Sequence, residues 1–242
     1  MSLSLSELRS RYWLKIGESS ESTQSHSETT VETNYRLNDA YRYIQRVTGC
    51  TYKKPELVSL TAVTASTNYH DLSELLSLTS GASVMSIHEV FWEGIPLYEW
   101  NKDRIDQMNK YDSVSAGEDP IAYAFFSEGA GNDRVNYISF FPYVASDNST
   151  DCYISYFELL PDMSDDDYPR FDAQWHDLIA DIAARDYQLD SDDAKLSPVK
   201  IAQVEDRLNS MKANYYRRLQ IGEAVPAAIG AQNLHYGRFY GE

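Results

Sequence analysis

Between Pro169 and Ile221 the apolar residues return every three or four positions, and this narrows the fold more than any other stretch. Phe171, Trp175, Leu178, Ile179, Ile182 and Ala183 share one side of a first helix. Ile201, Val204, Leu208, Met211, Tyr215 and Leu219 share one side of a second. A repeat near about 3.6 residues excludes a strand, whose apolar residues alternate. An acidic run, Asp190, Asp192 and Asp193, and then Ser197-Pro198 separate the two. A serine N-cap accepts an orphan backbone N–H, and a proline at the first helical position has none to leave unpaired. A helical hairpin is expected.

The N-terminal part supplies partners for it. Leu5, Leu8, Tyr12 and Ile16 mark a helix over Leu3 to Ile16, with Ser4 or Ser6 as its cap. Leu37, Ala40, Tyr41, Ile44 and Val47 mark another from Thr33, stopped by Gly49. Between them, Gly17 to Thr30 is dominated by Ser, Thr and Glu with a single His, too polar to offset the cost of ordering it, and is expected as an exposed, mobile loop. Neither terminal block makes a good core alone. Together, residues 1–50 and 164–221 are expected to form one helical bundle.

Residues 51–163 change character and read as an inserted β-rich lobe. Strands are expected over Leu57 to Thr64 and Ser83 to Trp92, with Gly94-Ile-Pro-Leu as turn and return. A short helix over Lys102 to Asn109, capped by Asn101, comes next. Tyr123 to Ser127, Asn136 to Phe141 and Cys152 to Phe157 then read as three antiparallel strands in series, with Pro142 ending the second or sitting on an edge. The fold class is therefore α+β. Residues 222–242 have no periodicity but end in the aromatic Leu234, His235, Tyr236, Phe239 and Tyr240. The preferred reading is an extended arm docked on a neighbour; the alternative is a tail folded back on its own domain.

The formal charge is −16. Gripping DNA or an anionic membrane draws on a cationic surplus that this chain lacks. The second C-terminal helix is the exception: Lys200, Arg207, Lys212, Arg217 and Arg218 make it basic. Cations in its last turn suit the helix dipole, but Lys200 and Arg207 lie outside that turn and suit an acidic neighbour. Nineteen tyrosines against eight phenylalanines fit either a β-rich segment or broad subunit contacts.

Catalytic signatures are missing from the sequence. It has no nucleophile elbow, phosphate-binding glycine loop, His-Glu-x-x-His or Cys-x-x-Cys. His26, His70, His88, His176 and His235 are scattered, and His176 is expected as a partly exposed structural residue. Asp162, Asp165, Asp166 and Asp167 lack the pattern of a calcium loop and are expected to complement the start of the following helix. Glu89, Glu93, Glu99 and Asp103 give no pair at a defined separation. Cys50 and Cys152 are expected as free thiols. No catalytic residue, metal or cofactor is expected. A basic leader and an apolar span are absent from the sequence, so a soluble protein made in the cytoplasm is expected.

The order of these parts resembles a known family. Leu5-Ser-Glu-Leu-Arg and a polar loop lead to the helix Tyr35-Arg-Leu-Asn-Asp-Ala-Tyr-Arg. A β region follows with Gly94-Ile-Pro-Leu, Trp100-Asn-Lys-Asp-Arg-Ile-Asp, Pro120 to Tyr123, Phe140-Phe-Pro and Tyr153-Ile-Ser-Tyr-Phe, and Pro169 to Leu178 opens the helical pair. Over about residues 3 to 221 this resembles the head-to-tail adaptor (connector) proteins of tailed bacteriophages. It departs after Gly222 and in the longer loop at Gly17 to Thr30.

The resemblance implies a virion structural protein at the head–tail junction, assembled in the host cytoplasm into a ring, twelve-fold like the portal. Portal and tail or nozzle proteins are the implied partners, and DNA passes through without specific binding. The basic helix and the aromatic arm are the candidate portal or subunit interface: Lys200, Arg207, Lys212, Arg217, Arg218, Leu234, His235, Tyr236, Phe239 and Tyr240. The competing reading is a carbohydrate- or receptor-binding tail module, with Trp92, Tyr98 and Trp100 of the β lobe as its surface.

Overall fold

The computed structural model describes residues 2–17, 29–64, 66–111, 118–129, 135–190 and 198–220. The polar stretch 18–28, the join 191–197 with Ser197, and the arm 222–242 lie outside the described residues. Helices and largely antiparallel sheet combine in an α+β fold.

Helix α1 (Leu5–Ile16) starts at Ser4, whose Oγ accepts the Glu7 N–H while the Glu7 carboxylate accepts the Ser4 N–H. It stops at Gly17, at φ 91°, a left-handed conformation that glycine adopts without a Cβ clash. Helix α2 (Thr30–Thr48) repeats the device with Thr29 and Glu32, and ends at Gly49. It begins earlier than its apolar pattern, because the cap lies upstream of the first buried turn.

Helices α5 (His176–Asp190) and α6 (Pro198–Gln220) share one core with α1 and α2. Leu5, Leu8, Tyr12, Leu37, Tyr41, Ile44, Ile179, Ile182 and Met211 are its buried centre. The helix expected from Pro169 begins only after a 3-10 turn at Ala173–Trp175. Its entry is held open by His176, whose Nδ1 accepts the Leu3 N–H at 3.0 Å and whose Nε2 donates to the Phe171 carbonyl at 3.0 Å. Phe171 therefore packs from the irregular segment before the turn, 5.7 Å from the Tyr41 ring, and not from the helix.

Among the described residues, eight strands form two sheets. The first runs β1 (Tyr52–Leu57), β8 (Cys152–Leu159), β3 (Ser83–Trp92), β4 (Ile95–Pro96). The second runs β2 (His70–Asp71), β7 (Val135–Phe141), β6 (Ala122–Glu128), β5 (Tyr98–Glu99). All pairings are antiparallel except β5 with β6. Val90, Trp92, Ile154 and Tyr156 from the first sheet and Tyr123, Ile138 and Phe140 from the second make a common core, closed by Leu72 of the short α3 (Leu72–Leu75). Helix α4 (Lys102–Tyr111) takes its cap from Asn101, which accepts the Arg104 N–H, and buries Ile105 against Ala122, Ala124 and Phe141.

Two strand expectations are corrected. The β1 strand ends where the expected one began: beyond Leu57 only Leu60 makes a bridge, to Asn148. Val58 and Leu60 are buried, and their backbone is paired singly, Val58 N–H to the Cys152 carbonyl and Leu60 with Asn148, without a continuous ladder. Pro55 within β1 is tolerated because it sits on an edge strand, where the register shifts between Lys53 and Glu56. The three late strands are not in series either. β6 pairs with β7, but β8 crosses to the centre of the other sheet between β1 and β3. Its apolar residues face both ways, as a central strand requires, and nothing local names the sheet it joins.

The helical core and the sheets are stitched together by α2. Asn38 accepts the Met163 N–H and donates to its carbonyl, and the Gln45 Oε1 accepts the Leu160 N–H. Cys50 and Cys152 are free, and burial pushes their thiols up to about 11 and about 12, so both are protonated at neutral pH.

Candidate interaction surfaces

Asp177 and Asp181 are four residues apart on α5, and so are Arg11 and Lys15 on α1. On a helix that spacing stacks side chains on one face. Packing α1 against α5 sets the two faces together. Lys15 Nζ lies 3.0 Å from Asp177 and 2.6 Å from Asp181, and Arg11 lies 3.1 Å from Asp177. Arg207 of α6 completes the network, bonded to Asp181 and 3.8 Å from Asp177. Burial opposes ionisation of Asp177, but the hydrogen bonds and charges of Lys15 and Arg11 outweigh it and hold its carboxyl below the ordinary value. Leu14, Lys15, Arg185, Gln188, Lys200, Gln203 and Arg207 surround a groove of about 340 Å³ beside this network.

The expected basic residues of α6 do not form one stripe. At about 100° per residue, Lys200 and Arg207 fall on the flank facing the groove. Lys212 falls on the other flank, its Nζ 5.8 Å from the centroid of the Tyr216 ring, and Arg217 is exposed. Exposed Glu205 and Asp206 lie among them. Arg207 is committed to α5 of its own chain. The side chain of Arg218, and Leu234, His235, Tyr236, Phe239 and Tyr240, lie outside the described residues. Sequence reasoning missed Arg11, Lys15, Asp177 and Asp181; their four-residue spacings were visible, but which helices meet was not.

A second charged surface faces outward where β8 gives way to α5. Its carboxylates do not serve the following helix, as the sequence suggested, but α1 and α2. The carbonyls of Asp167 and Asp165 accept the N–H groups of Leu5 and Ser6, two orphan donors of the first turn of α1. Asp165 pairs with Arg9, and Asp162 with Arg42, which also holds Asp39. Asp167 accepts from the Ser164 hydroxyl and N–H, which lowers its carboxyl. Asp166 is exposed and makes no ion pair among the described residues. Together with the half-exposed Tyr168 these carboxylates form a ledge.

In the β lobe, the aromatic surface expected from Trp92, Tyr98 and Trp100 is not assembled. Trp92 is buried between the sheets, with its indole N–H donated to Asp119. Trp100 is stacked on Phe141 and lies under the Arg104 guanidinium, 3.8 Å from the ring centroid. Only Tyr98, at 71% exposure, is free to meet a ligand. Glu93 is a turn residue: with Gly94 it closes the β3–β4 hairpin at φ 48° and 81°, the left-handed pair that a two-residue turn requires. His176 is buried at 2% exposure, not partly exposed, because both ring nitrogens are used by the backbone. Among the described residues no cluster of three or more His, Cys, Asp or Glu is placed to hold a metal, and no helix is long and apolar enough to cross a membrane.

No curated protein matches the sequence. Residues 4–228, from the cap of α1 through α6 and with the described sheets between, match the family described as SU10 adaptor protein. The chain belongs to that family of phage adaptor structural proteins.

Proposed function

We propose that the protein assembles as a ring between portal and tail at the head–tail junction and continues the DNA channel through which ejection occurs. The observation that carries this reading is family membership across nearly the whole chain. Portal and tail or nozzle proteins are its partners, and the ring is twelve-fold to match the portal. The chain charge of −16 supports the channel role, since a wall of like charge lets DNA slide without binding. Residues 1–50 and 164–221 act as the bundle, 51–163 as the lobe and 222–242 as the arm. Lys200, Lys212, Arg217, Arg218 and the aromatic arm residues from Leu234 to Tyr240 meet the portal or the next subunit. Arg207 acts there through the network that shapes the groove. No catalytic step is assigned. The carbohydrate-binding alternative loses its support with Trp92 in the core.

Sizing of the full chain with and without portal rings, followed by negative-stain imaging of the tail vertex, tests the reading. A ring added to portal particles is the expected result. A protein that stays monomeric and leaves portal particles unchanged would refute it.

A further inference from the structure

The groove of α1, α5 and α6 and the acidic ledge lie at opposite ends of α1. Leu5 and Ser6 of its first turn bond the ledge, and Leu14 and Lys15 of its last turn line the groove. Along the axis that separation is about 14 Å at ~1.5 Å per residue. The two surfaces do not overlap, and their chemistry is opposite. Around the groove stand Lys15, Arg185, Lys200 and Arg207 against Asp181. Lys15 and Arg207 are bound to that carboxylate and Arg185 to Asp186, while Lys200 is exposed without an ion pair among the described residues. Beside them Leu14 is 67% exposed, an apolar spot on a charged rim.

The ledge mirrors this. Asp39, Asp162 and Asp165 keep side-chain exposures of 60, 52 and 62%, although Arg42 and Arg9 bind them from below. Asp166 makes no ion pair among the described residues, Arg170 is exposed nearby, and Tyr168 supplies an apolar body at 53% exposure.

A ring closes only through a heterologous contact, in which two different patches of each subunit meet. We propose that the groove receives the Asp162–Tyr168 ledge of a second copy, with Lys200 facing Asp166 and Leu14 facing Tyr168. The proposal rests on the ring reading and adds the two surfaces that join neighbours. Charge complementarity sets the register, and the apolar pair gives the contact a dry centre.

Lys200→Glu and Asp166→Lys change exposed residues that make no ion pair among the described residues, so neither removes a described contact that holds the fold. Sedimentation velocity of the full chain over a concentration series, with and without portal rings, reads the contact. Each single reversal should raise the concentration needed for self-association about tenfold, as like charges then face each other. The double variant Lys200→Glu/Asp166→Lys should return to the wild-type value. If wild type assembles while one or both single variants match it, or the double is no better than the singles, the assignment is overturned and the ring stands. If wild type assembles neither alone nor on portal rings, the ring reading falls and takes this contact with it.

Discussion

His70 shows what a single buried side chain contributes to the behaviour of the lobe. It lies in β2 at 6% exposure, edge-on to Phe140, with its Nε2 unpaired. Burial lowers its pKa from 6.5 to about 4, so the folded protein keeps it neutral where the unfolded chain protonates it. The unfolded state then binds more protons across that window. The stability present above pH 6.5 is lost as pH falls toward 4 and changes no further below it. At about 1.4 kcal/mol per pH unit crossed, the loss is about 3 kcal/mol. Urea titrations of wild type between pH 7 and 4 should show that slope, and His70→Leu should flatten it. An unchanged slope would place the titrating group elsewhere. Asp177 acts lower on the scale: its lowered carboxyl adds stability above the ordinary carboxylate range that is lost as pH falls through its folded value.

At the level of elements, caps and strands differ in how far local sequence decides them. Ser4-x-x-Glu7 and Thr29-x-x-Glu32 were both written before an apolar repeat, and each makes the reciprocal bonds of a capping box. Ser4→Ala should lower stability by about 1 kcal/mol in thermal melts, with the helices otherwise intact. Strand ends were legible for β3, which spans the expected Ser83–Trp92. They were not legible for β1, where Pro55 argues against a strand until an edge position and a register shift accommodate it. Trp92 and Tyr98 lie close in sequence and opposite in environment. Trp92→Ala should cost about 3–5 kcal/mol by emptying the space beside Phe140, while Tyr98→Ala should change stability by less than about 0.5 kcal/mol. A reversed order would mean that the indole is not in the core.

For the whole molecule, the helical core and the β sandwich are separate apolar clusters joined through α2. The amide of Asn38 is spent on both backbone groups of Met163, at 2.8 and 3.1 Å, in a buried position. Asn38→Leu leaves those groups unpaired and should cost about 2–4 kcal/mol. Met163 packs in the helical cluster, so the variant should loosen that cluster ahead of the sandwich. Far-UV and near-UV circular dichroism should give coincident urea transitions for wild type and separated ones for the variant. Coincidence in both would show that the coupling runs through other contacts.

Helices α1 and α2, their apolar stripes and the stop at Gly49 were decided by the sequence itself, because a repeat of about 3.6 residues and a local cap need no distant partner. The acidic balance that argues against a nucleic-acid grip was equally a property of composition. Only the tertiary structure decided that β8 leaves β7 for the other sheet, since a run that is apolar on both faces suits any central position. It also decided that Lys200 and Arg207 turn toward one flank of α6 and Lys212 toward the other. The same holds for Asp165 and Asp167, whose carbonyls take the N–H groups of a helix more than 150 residues earlier in the chain. Charge and hydrogen-bonding capacity are written in each residue. Their partners are chosen by which helices pack together, and that depends on the shape of the whole core.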